Sequence, residues 1–190
     1  MNHARTYLEE TRDIAKSIDP NEIEALAYDL SSLRERDGRL LCVGLGGGAA
    51  NASHASNDFR KLCGIRSYCP TDHPAWFTAT WNDEGPRETF FAYATLEKLG
   101  PNDAILAFSV GGGTEEVSQG ITALVRASDA MGFKVFGVVG PEGGETRRYG
   151  DRVICIPALE RVTPHTESFQ MIVLHCLVSH PLLQKKPTKW

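Results

Sequence analysis

The chain has 190 residues, enough for one domain with a proper core. Its apolar share of 42 % and charged share of 23 % are those of an ordinary globular protein, and its net charge of −4 argues against nucleic acid as the main partner. No apolar run reaches the length of a membrane span, and the opening residues MNHARTYLEETRDIAKS lack a signal-peptide core, so a cytoplasmic location is expected. The five cysteines, Cys42, Cys63, Cys69, Cys155 and Cys176, form no Cys-x-x-Cys pair. They read as buried reduced thiols, with a disulfide framework or thiolate metal site as the alternative.

In chain order, Asn2 to Lys16 reads as a helix, followed by a break at Asp19-Pro20-Asn21. A second helix runs from about Asn21 to Arg36, with Ile23, Ala27, Leu30 and Leu33 on one stripe. Neither helix carries a chemical cluster, so the pair is expected to pack on a sheet or on another subunit. The apolar run Leu40 to Val43 reads as a buried strand that breaks at Gly44-Leu45-Gly46-Gly47-Gly48 and resumes as a helix from Ala49. A strand ending in glycines and feeding a helix start suits an anion, because the backbone can approach a ligand and the first helical N–H groups are unpaired. His54 and Asp58 lie four residues apart, on one face of that helix.

The segment from Gly64 to Pro74 reads as irregular, followed by a short helix over Ala75 to Thr80, a polar loop over Asn82 to Pro86 and a helix from Arg87 to Leu99. Ala104 to Ser109 is almost wholly apolar, as in a parallel strand buried on both faces. It ends in glycines, and a helix is predicted from Thr114 to Met131 with Thr114 as N-cap and Glu115 and Glu116 in the first turn. Lys134 to Val139 is a third strand, closed by Gly140 to Gly144. A helical turn over Glu145 to Tyr149 and a fourth strand over Asp151 to Pro157 follow. The last helix is predicted over Pro164 to Leu183, before a polar tail from Gln184 to Trp190. Its middle is apolar nearly all round, which implies burial and, in a chain this size, a subunit interface. Strands alternating with helices imply a parallel sheet covered on both faces, with ligands at the carboxyl ends of the strands.

The first glycine turn lacks a clean dinucleotide fingerprint and is not followed by Lys-Ser/Thr, so no nucleotide cofactor is expected. Ser109 and Thr114, with free helix N–H groups, suit a phosphate monoester; the same residues also read as a tight turn and a cap. Taken alone, His54 and Asp58 also read as an ordinary helix histidine and a surface acid. His175, inside an apolar helix, needs a polar partner or stays neutral at a cost. Glu167, at the start of that helix, also reads as a residue that favours the helix dipole.

Strand, Gly-x-Gly-Gly, helix with His54 and Asp58, then strand, Ser-x-x-Gly-x-Thr and helix, resembles the sugar isomerase (SIS) domain. More closely, the chain is similar to the phosphoheptose isomerase branch, the sedoheptulose-7-phosphate isomerases. The similarity covers nearly the whole chain, including two N-terminal helices, the Asn82-Asp83 loop and His175 in the last helix. The resemblance implies an α/β fold, a three-layer α/β/α arrangement with a parallel flavodoxin-like sheet. Residues 1–190 would form a single SIS domain and residues 1–38 its helical pair. It also implies a homotetramer with sites between subunits and a sugar phosphate as substrate. Asp58 and His175 would share acid–base work through an enediol. Gly46, Gly47, Gly48, Asn82, Asp83, Ser109, Gly111 and Thr114 would bind substrate and its phosphate. Zn2+, bound by some members, would fall on His54, Asp58, Glu167 and His175, a donor set that suits zinc.

The chain departs from the family pattern at several of these positions. Leu45 stands for the family's asparagine, Gly48 for its serine, Asp58 for its glutamate, Glu167 for its glutamine and Pro164 for an acid. Ser109-Val110-Gly111-Gly112-Gly113-Thr114 replaces Ser-Thr-Ser-Gly-x-Ser, and two extra residues fall near Arg60 to Leu62, leaving Arg66 nearest to the family's next arginine. The loss of phosphate-binding hydroxyls brings in two alternatives. One is a non-catalytic SIS module that binds a phosphosugar or a protein partner as a regulator. The other is an isomerase for a related sugar phosphate or nucleotide-linked sugar.

Overall fold

The computed structural model describes residues 2–187, so positions 188–190 of the expected polar tail lie outside the described residues. Two helices, α1 (His3–Ser17) and α2 (Pro20–Glu35), precede the sheet. Asn2 and Asp19 cap them with side-chain oxygens, and Pro20 opens α2 where its missing N–H costs nothing. Strand β1 (Arg39–Gly44) leads into α3 (Gly47–Lys61), then β2 (Arg66–Tyr68), α4 (Pro74–Glu84), α5 (Thr89–Leu96) and β3 (Ala104–Ser109). The remaining elements are α6 (Gln119–Arg126), α7 (Ser128–Met131), β4 (Lys134–Val139), α8 (Gly144–Tyr149), β5 (Arg152–Cys155) and α9 (Val162–Val178). All pairings are parallel, in the order β2-β1-β3-β4-β5, the flavodoxin-like arrangement with its switch point between β1 and β3.

The alternation of strand side chains divides the core. Leu40, Cys42, Ala104, Leu106 and Phe108 face a cluster with α2, α3 and α9. Leu41, Val43, Ile105 and Ala107 face one built from α5 and α6. The helical pair packs on the sheet side that carries α3 and α9. Arg152 of β5 pairs with Asp29 at 3.0 Å. His165 Nε2 lies 2.9 Å from a Glu10 carboxylate oxygen, which ties α1 to the first turn of α9. Among the described residues, no helix is long and apolar enough to cross a membrane.

The structure corrects several predicted elements. A fifth strand, β2, lies in the segment read as irregular; its sequence, Arg-Ser-Tyr, carries no apolar signal. It is held by pairing with β1 and by the Arg60 guanidinium on the Ser67 carbonyl. Helix α4 runs through Asn82 and Asp83, so these residues are its last turn, not a loop. The long helix expected from Thr114 starts only at Gln119, because Gly112, Gly113 and Ser118 take positive φ values of 71°, 86° and 59°. Helix α9 is not buried all round: Phe169, Val173, Leu174 and Leu177 are buried, while Ile172 is 49 % exposed and His175 and Cys176 face outward.

Candidate functional site

The first glycine turn is shaped by close backbone packing. A side chain at Gly48 would run into the carbonyl oxygen of Phe108 on β3, and one at Gly44 would meet the Gly48 carbonyl. Helix α3 therefore sits tight against the switch point. The serine usual in the family has no room at Gly48 unless the backbone shifts. Gly47 lies under the carboxylate of Glu167: a Cβ there would be 2.5 Å from its carbon and both its oxygens. A carboxylate from α9 thus already stands beside the N-terminal turn of α3, where an external anion would otherwise be favoured.

Farther along the same two helices, His54, Asp58 and His175 come together. One ligand atom from each lies within 4.8 Å of the others. His54 Nε2 is 3.1 Å from Asp58 Oδ2, and the Asn57 side-chain amide donates to the other oxygen of Asp58 at 3.0 Å. The rings of His54 and His175 meet edge to face at 5.3 Å. Asp58 is recessed, with 14 % of its side chain exposed against 45 % for His54, so the cluster opens outward at the seam between α3 and α9. Two imidazoles and a carboxylate suit a divalent ion such as zinc, whose tetrahedral ligand atoms stand roughly 3.3 Å apart, so small side-chain rotations would close the set. Among the described residues this is the only such group, and no cysteine belongs to it. All five cysteines are free; Cys42, Cys63 and Cys69 are buried as expected, Cys155 is half-buried and Cys176 is exposed. Burial pushes the Cys63 thiol up to about 11, which keeps it protonated.

The loop after β3 differs from its predicted form. Thr114 does not cap a helix. Its hydroxyl accepts the N–H of Val117 at 2.9 Å, closing a local turn, and Thr122 donates to its carbonyl at 2.9 Å. Ser109 Oγ accepts the N–H of Gly112 at 3.1 Å. Gly111 is open, but Gly112 packs its backbone against that of Gly143, and its carbonyl accepts the Thr146 hydroxyl at 2.7 Å. Glu115, expected in the first turn of a helix, instead pairs with Arg87 and Arg126. Both hydroxyls thus accept N–H groups that shape the loop, and a hydroxyl that accepts keeps its own O–H to donate.

Neither Glu167 nor Asp83 supplies one of the ligand atoms that meet in the His/Asp group. Asn82 donates to Asp83 at 2.8 Å at the exposed end of α4. Glu167 lies eight residues before His175, about 12 Å of helix rise away. Two residues that sequence reasoning passed over stand between these regions. Asn51 and Gln170 join α3 to α9 through their side-chain amides at 2.8 Å. The available signal was a glutamine within the apolar run of the last helix and an asparagine three residues before His54.

No family model matches the chain. The lincomycin biosynthesis protein LmbN of Streptomyces lincolnensis is 34 % identical to it over 187 residues, covering 93 % of this chain and 68 % of that protein. The phosphoheptose isomerase of Roseiflexus sp. strain RS-1 is 30 % identical over 142 residues, covering 72 % of this chain and 69 % of that one. Among solved structures, the phosphoheptose isomerase of Francisella tularensis shares the fold with a TM-score of 0.80 at 19 % identity, over 93 % of this chain and 92 % of that one. The fold and the helix-borne His/Asp group define a SIS-domain protein of the sugar-phosphate type. The chain belongs to the phosphoheptose isomerase-like family.

Proposed function

We propose that this chain is a sugar-phosphate aldose–ketose isomerase of the phosphoheptose isomerase kind. The observation that carries the reading is the convergence of His54, Asp58 and His175 from two helices that are far apart in sequence. Moving a carbonyl between C1 and C2 needs a base to take a carbon-bound proton and an acid to protonate the carbonyl oxygen. A carboxylate and an imidazole side by side fill those two roles, with Asp58 and His175 exchanging protons through an enediol. His54 and Asn57 hold the two oxygens of Asp58 and so fix its direction. A zinc ion would be held by His54, Asp58 and His175, and when bound it would polarise the substrate carbonyl as a Lewis acid. Glu167, seated over Gly47, faces the substrate's polar groups in this reading rather than the ion.

The cluster is open to water in one chain, whereas proton transfer at carbon gains from a drier cleft. Together with the outward-facing Ile172 on α9, this supports a homo-oligomer, a tetramer in this family, whose neighbouring copy covers the site. Five unpaired thiols suit the reducing cytoplasm. Conversion of ketose phosphates to aldose phosphates, followed across a panel of chain lengths, tests the proposal; background rates throughout would defeat it. The reduced hydroxyl set, with Gly48 and Gly111 standing where the family has serines, favours a second reading, a non-catalytic module that binds a phosphosugar or a protein partner as a regulator. Thermal stabilisation by sugar phosphates without turnover would select it.

A further inference from the structure

The two helices of the site are joined by a short relay of amides. Asn51 lies one turn before His54 on α3, and Gln170 lies five residues before His175 on α9. Asn51 Nδ2 donates to Gln170 Oε1 at 2.8 Å and to the Glu167 carbonyl at 3.0 Å. Gln170 Nε2 donates in turn to the carbonyl of Val138 on β4 at 3.0 Å. Gln170 is fully buried, between Phe169 and Val173. The two backbone carbonyls settle both amide orientations. Each can only accept, so each amide must turn its NH2 toward one of them, and the Gln170 oxygen is left for Asn51.

We propose that Asn51 and Gln170 are positioning residues, which set the register of α9 against α3 so that His175 meets His54 and Asp58. This rests on the reading of that group as the isomerase centre. Apart from Glu167 over Gly47 and the His54, Asp58 and His175 group itself, the seam is packed by apolar residues, with Ala52, Ala55 and Phe59 on α3 and Phe169, Val173 and Leu174 on α9. Apolar packing specifies a helix's rotation and slide only loosely. A slip of α9 by one residue turns His175 by about 100° and slides it about 1.5 Å. The same slip breaks the relay and strands a buried amide, which is the penalty that makes one register stand out. Neither amide titrates, so the relay itself carries no charge.

The test replaces both amides at once by apolar groups of similar size, Asn51→Leu with Gln170→Met, so that neither side-chain amide is left buried without the other, while the Glu167 and Val138 carbonyls each lose one donor. The expected result is a melting temperature close to that of the native protein and a kcat lower by roughly 10- to 100-fold, with KM changed no more than about threefold. The ring-proton contact between His54 and His175, read as a nuclear Overhauser effect in protein carrying 13C-histidine, should weaken or vanish. Retention of both kcat and that contact would overturn the proposal. A lower melting temperature with both retained would reduce the pair to a structural role, which also overturns it. If the native protein turns over no sugar phosphate, the isomerase reading fails and the ring contact alone decides the positioning role. Should the double variant fail to fold, Asn51→Asp is nearly isosteric, lacks both N–H donors and is judged by the same two readouts.

Discussion

Glu167 lays its carboxylate over the bare Cα of Gly47, 2.5 Å from where a side chain would begin. The negative charge stands at the first turn of α3, the place a substrate phosphate would use. Glu167→Gln keeps the shape and removes the charge. Binding of inorganic phosphate or of a sugar phosphate is expected to tighten several-fold, about 1 kcal/mol, as measured by calorimetry. Unchanged or weaker binding would mean that the phosphate sits elsewhere.

Gly48 makes the opposite point about the same turn. Gly48→Ser restores the hydroxyl usual in the family, yet its Cβ meets the Phe108 carbonyl. The expected cost is about 2 kcal/mol in denaturant unfolding, with no gain in phosphate affinity. A stable variant with tighter phosphate binding would show that α3 moves away from β3 easily.

How far the sequence reached follows from where each signal lies. Ala104 to Ser109 was legible because six apolar or small residues in a row have few alternatives beside a buried parallel strand. The His54–Asp58 pair was legible because i,i+4 spacing alone brings the two side chains together. Their meeting with His175 depends on the relative register of α3 and α9, which no local pattern encodes; it came only with the family resemblance. Thr114 misled because its capping preference is local, while the glycines at 112 and 113 turn the chain away before a helix can start. Strand β2 left no apolar trace, since pairing with β1 and the Ser67 bonds hold it. The Asn51–Gln170 relay was visible only as two polar residues on faces that otherwise pack.

Zinc gives a separate test of the cluster. Native protein titrated with Zn2+ is expected to unfold at a higher temperature, with about 2.7 kcal/mol of added stability at a free concentration a hundred times the Kd. His54→Ala removes one imidazole of the three-ligand set and should abolish most of that gain. Equal gains in the two proteins would place the metal away from His54.

Asp103 carries a prediction about stability and pH. Burial pushes its carboxyl up, but the Arg39 guanidinium at 2.7 Å and the N–H groups of Arg39 and Gly100 outweigh this and hold it below its ordinary value. A carboxyl lowered on folding contributes fully above its unfolded value, near 4, and loses that contribution as the pH falls through the lower folded value. Asp103→Asn is therefore expected to cost about 3 kcal/mol at pH 7, a difference that shrinks on acidification below pH 4. A difference that is flat with pH would remove the charge from the explanation.

The central claim is proton transfer at carbon by Asp58 and His175, and solvent deuterium reads it most directly. Native protein incubated with a ketose phosphate in D2O is expected to form the aldose with deuterium at C2, as an enediol exchanging its proton requires. Asp58→Asn and His175→Ala should each lower both turnover and incorporation by roughly 100-fold or more. An aldose formed without deuterium, or variants as active as the native protein, would contradict the assignment of these two residues.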